Sequence, residues 1–82
     1  MRGSISKYPV GATWECVTDE GTKGKITLEK RDDGFEFWRW TRIEFSDGSG
    51  IETDWGTSYR MCKEQILIWN RSGKPIRFKR TK

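Results

Sequence analysis

The chain has no histidine, and its 82 residues include only two cysteines and two prolines. Without His it lacks the commonest general base, the commonest metal ligand and every nucleophile–His pair. Two cysteines by themselves do not close a four-ligand zinc site. Neither common glycine-rich phosphate loop occurs. No apolar stretch approaches the roughly 18 residues of a membrane span, and the N-terminus has no hydrophobic signal-peptide core. These absences lead to the expectation of a cytoplasmic protein that is not an enzyme, takes no cofactor or metal and has no membrane partner. In that compartment Cys16 and Cys62 are expected as buried free thiols, with a disulfide between them as the alternative. The carboxylate pairs Asp32/Asp33, Glu52/Asp54 and Glu36/Glu44 read as turn and solvent-facing strand positions.

What the chain does have is aromatic side chains: five Trp, four Phe and two Tyr. Each buries roughly 150–250 Å², which offsets the scarcity of aliphatic residues and argues against disorder. A chain of this length forms one domain. Residues 1–6 are expected to be disordered and 79–82 to form a basic tail.

Charge is divided unevenly. Residues 1–70 hold ten Lys/Arg and all twelve Asp/Glu, net −2, while residues 71–82 hold six Lys/Arg, net +6. A basic terminus suits nucleic acid or an acidic protein surface.

Glycine punctuates the pattern. Residues 12–19 and 25–31 alternate as half-buried strands, with Ile26 and Leu28 the clearest period of two. Asp32-Asp33-Gly34 reads as a hairpin turn. Residues 35–45 carry five aromatics and Ile43 without a breaker, which is strand composition. As one strand, this run sends Phe35, Phe37, Ile43 and Phe45 to one face, and Trp38, Trp40 and Arg42 to the other. Ile51, Thr53 and Trp55 alternate in a further strand. Residues 57–72 fit either a helix face or two short strands, 58–62 and 66–70, and the two strands are preferred. Residues 76–79 alternate as a last, basic edge strand.

The fold class expected is all-β: a small antiparallel β-meander of five to six strands, as an SH3-like barrel or a strongly curved sheet. The alternative is an α+β fold with one short helix near 57–70. The core is expected to hold Trp14, Cys16, Ile26, Leu28, Phe35, Phe37, Ile43, Phe45, Ile51, Ile66, Ile68 and Phe78. The segment 43–52, a hydrophobic strand end, a Ser-Asp-Gly turn and an acidic strand start, resembles the hairpins of small SH3-like and Tudor-like barrels. No binding residue is carried over from that resemblance.

Two function classes fit. The first is a nucleic-acid-binding module, with Trp38, Trp40 and Arg42 as a stacking row and Arg71, Lys74, Arg77, Lys79 and Arg80 as phosphate contacts. The second is a protein-interaction or assembly domain, including a homodimer formed through an exposed strand edge. Against the stacking row stands burial of Trp38 and Trp40 in the core.

Overall fold

The structure, a computed structural model, describes residues 5–31, 37–50, 57–69 and 75–82. Within these, six strands form one antiparallel sheet: β1 (Thr13–Val17), β2 (Lys23–Leu28), β3 (Thr41–Phe45), β4 (Ser58–Cys62), β5 (Gln65–Trp69) and β6 (Ile76–Arg80). Their order is β3-β2-β1-β6-β5-β4. Two three-stranded meanders follow each other in the chain, and β1 pairs with β6 to join them. The sheet curls into a half-barrel. Of the two expected forms, the strongly curved sheet is the one observed.

Alternation builds the core. Trp14 on β1, Ile26 and Leu28 on β2, Ile66 and Ile68 on β5 and Phe78 on β6 all point inward and are buried. Cys16, Ile43 and Phe45 are half-buried against them. Gly24 is the inward residue where β2 passes beneath Phe45 and Cys16. A Cβ there would lie 2.6 Å from a Phe45 ring carbon and 2.8 Å from Cys16 Sγ.

The expected two strands in 57–72 are observed as β4 and β5. Their register, Cys62↔Gln65 to Ser58↔Trp69, leaves a loop of Lys63 and Glu64, and Lys63 takes a φ of 56°. That left-handed conformation is unusual for a side chain with a Cβ. The Tyr8 hydroxyl holds the loop from below by donating to the Lys63 carbonyl at 2.9 Å.

Four expectations are corrected. The aromatic run is not one strand: Phe37–Trp40 forms a single helical turn, α1, and β3 begins only at Thr41. As a strand, the run would set Trp40 on the wetted face. One turn instead places Phe37 and Trp40 three apart on one side, and both are buried. Burying about 200 Å² of Trp is worth roughly 5 kcal/mol, more than β-propensity contributes. Phe37 stacks on Tyr59 of β4 at 4.0 Å, so α1 connects the β3 end of the sheet to the β4 end.

Second, the C-terminal strand is not an edge and the terminus is not a free tail. β6 pairs with β5 on one side and β1 on the other, and the Lys82 carbonyl accepts from Thr13 N–H at 2.9 Å. Third, of the residues 1–6 expected to be disordered, 1–4 lie outside the described residues, whereas Ile5 opens a 3-10 turn, Ile5–Lys7, and is fully buried. Fourth, Cys16 and Cys62 are free thiols, but Cys62 is exposed because it points outward from β4. Phe35, the turn at Asp32-Asp33-Gly34 and the strand expected over 51–55 lie outside the described residues.

Candidate functional site

The outer face of the sheet follows from the same alternation. With Ile66 and Ile68 inward, β5 turns Gln65, Leu67 and Trp69 outward. β4 turns out Ser58, Arg60 and Cys62, and β6 turns out Arg77 and Lys79. Register then sets these residues in rows. Arg60 and Arg77 each stand opposite Leu67, from the two sides. Lys79 stands opposite Gln65, and Ser58 opposite Trp69. Leu67 and Trp69 are half-buried, and they are not among the half-buried apolar groups that pack on the core.

No carboxylate stands among these eight outward residues. Arg60 and Arg77 lie two strands apart, about 10 Å at the backbone. Their repulsion in water at that distance is only about 0.4 kcal/mol, so the pair costs the fold little. Arg77 is oriented by donating from Nη1 to Gln65 Oε1 at 2.8 Å. Glu15 of β1 faces Lys79 across the seam, and Arg77 shares the lining of the neighbouring groove with Asp19 and Glu20.

The seam between β1 and β6 opens beside this patch. Their register runs only through Trp14↔Arg80 and Glu15↔Lys79. Beyond it the strands part around a groove of about 400 Å³. Val17, Asp19 and Glu20 line one side, and Pro75, Ile76 and Arg77 the other. Val17 is a largely exposed apolar side chain, at 67%. Trp69 follows Ile68, whose partner Ile76 lines the groove, so Trp69 lies at the same end of the sheet as the groove.

The described sequence-derived site residues separate into three groups. Trp38, Trp40 and Arg42 do not form a row. Trp40 is in the core, and Trp38 packs edge-on to Phe37 at 4.8 Å and Tyr59 at 5.6 Å. Arg42 is exposed on β3 and its Nε is 2.7 Å from Glu29. The helical turn removes the alternation on which that row depended.

Arg77 and Lys79 do come together on the outer face, and they are joined there by Arg60. Arg80 belongs elsewhere. Its guanidinium lies 4.6 Å from the Tyr8 ring centroid and 3.5 Å from Glu64, where it serves the fold. Burial, with Glu64 adding to it, pushes the Tyr8 phenol up from its ordinary value, while Arg80 opposes the shift. Arg71 and Lys74 lie outside the described residues. Arg60, Leu67 and Trp69 are the site residues that sequence reasoning passed over. The signal was present: placing Ile66 and Ile68 in the core obliges Leu67 and Trp69 to face out.

Among the described residues no three His, Cys, Asp or Glu side chains gather to hold a metal ion, and no helix is long and apolar enough to cross a membrane. No protein-family model, curated protein or solved structure matches this chain.

Proposed function

We propose that this domain is a non-enzymatic binding module whose outer β4–β6 face takes a polyanion, nucleic acid. One observation carries the reading. Arg60 and Arg77 flank Leu67 in a single cross-strand row, with Lys79 in the next row and no carboxylate among the described outward residues of these strands. Basic side chains interleaved with apolar and aromatic ones on an open sheet face suit a phosphodiester backbone with bases above it.

The homodimer reading is weaker than the sequence made it. The edge expected to pair with a second copy, Ile76–Arg80, is an interior strand.

A salt titration of binding to a labelled single-stranded oligonucleotide tests the proposal. Three cationic contacts predict a log–log slope of about −2 to −3, from about 0.7–0.9 per phosphate contact. Absence of binding at low salt sinks the reading. Retention of an acidic peptide in place of the oligonucleotide assigns the face to a protein partner.

A further inference from the structure

Resting on that reading, we infer that the polyanion is single-stranded nucleic acid, held crosswise on β4–β6 with a base on Trp69 at the mouth of the β1–β6 groove. Three placements carry this. Arg60 and Arg77 stand on either side of β5 in one row, so a backbone contacting both crosses the strands rather than following one. Trp69 stands on the same face of β5, one outward position beyond Leu67. Its place opposite Ser58 gives it a small neighbour on the β4 side. Beyond Pro75 the groove offers Val17 and Ile76 as apolar walls.

Charge gives the path its direction. Glu20 lines the groove and disfavours phosphate at its far side, whereas Arg77, at the groove's near side, and Arg60 and Lys79 on the sheet attract it. A single strand satisfies both ends at once, with phosphates over the arginine row and a base turned toward Trp69 and the groove. Along its length a duplex keeps its base faces stacked on one another, so it has no free base face to lay on Trp69.

The test compares two single-stranded probes of equal length and charge, an oligothymidylate and an abasic phosphodiester oligomer, by anisotropy at one salt concentration. A blunt DNA duplex serves as a third probe. The inference predicts that the abasic oligomer binds about five- to 150-fold more weakly than the oligothymidylate, the range of one stacked base. Trp69→Ala is expected to remove that difference and leave abasic binding and the salt slope unchanged. Trp69→Tyr is expected to restore most of it and guards against a folding defect in the alanine variant.

Equal binding of the two single strands by the parent protein overturns the inference while the polyanion proposal stands, as does duplex binding as tight as oligothymidylate binding. A base preference that survives Trp69→Ala also overturns it, since the stacking platform then lies elsewhere. Failure of all three probes to bind at low salt overturns the polyanion proposal itself.

Discussion

The two meanders are built alike inside and differently outside. Both send alternate apolar residues into one shared core. On the outer face of β1–β3, opposite charges meet: Lys25 stands between Glu15 and Glu44, and Arg42 lies 2.7 Å from Glu29 and 3.8 Å from Glu44. On β4–β6, Arg60 and Arg77 face each other across Leu67. Exposed ion pairs are worth little to stability, typically under about 1 kcal/mol, so the fold did not require either arrangement. Where stability is indifferent, charge placement is free to serve binding. Among the described residues, the β1–β3 face pairs its charges, whereas the outward residues of β4–β6 carry positive charge with no carboxylate among them.

The largest expected effect comes from breaking the junction of the halves. Deleting residues 79–82 removes the β1–β6 register pairs Trp14↔Arg80 and Glu15↔Lys79 and the bonds between Thr13 and the Thr81 and Lys82 backbone. A domain this size has a margin of only about 4–12 kcal/mol. Loss of a cooperative thermal transition is therefore expected by circular dichroism. If the truncated chain melts like the parent, the two meanders do not depend on their seam.

A smaller effect belongs to the β1–β3 half alone. Gly24→Ala forces a methyl into Phe45 and Cys16, and overpacking of this kind costs about 1–3 kcal/mol. Denaturant melts should show that loss with an unchanged slope. A neutral or stabilised variant would mean that Phe45, itself only half-buried, swings away.

The thiols divide the halves more gently. Cys62 on β4 is exposed and should label quickly in the native protein. Cys16 on β1 should label slowly, because burial pushes its thiol up and leaves less thiolate at a given pH. The raised Cys16 and Tyr8 groups hold their protons more tightly folded than unfolded. Their stability contribution is therefore complete below the ordinary thiol and phenol values and is lost as pH rises from there through the raised folded-state values. A melting temperature that climbs with alkaline pH would reverse that sign.

Much of the interior was legible because the period of two is local. Ile26, Leu28, Ile66, Ile68 and Phe78 each declare their face through the residues beside them. Ile5 and Tyr8 carry no such signal; their burial depends on where the chain start lies against the sheet. The position of β6 was illegible for the same reason. A basic alternating strand looks like an edge until β1, more than sixty residues away in sequence, is found beside it. At α1 the local signal misled, because aromatic strand composition was overruled by the gain from burying Phe37 and Trp40 together. The candidate site shared both fates. The Trp38/Trp40 row was lost with the strand it assumed, and Arg77 and Lys79 kept their outward phase. Arg60 joined them only through a cross-strand register that no single segment reveals.

The contrast between the two faces is tested most directly by the salt dependence of oligonucleotide binding in Arg60→Ala and Arg42→Ala. Both substitutions remove one exposed arginine from a strand of the same sheet. The account predicts that Arg60→Ala makes the log–log slope shallower by about 0.7, one single-strand phosphate contact, and that Arg42→Ala leaves it unchanged. Equal slopes for the two variants, or a loss confined to Arg42→Ala, would contradict it.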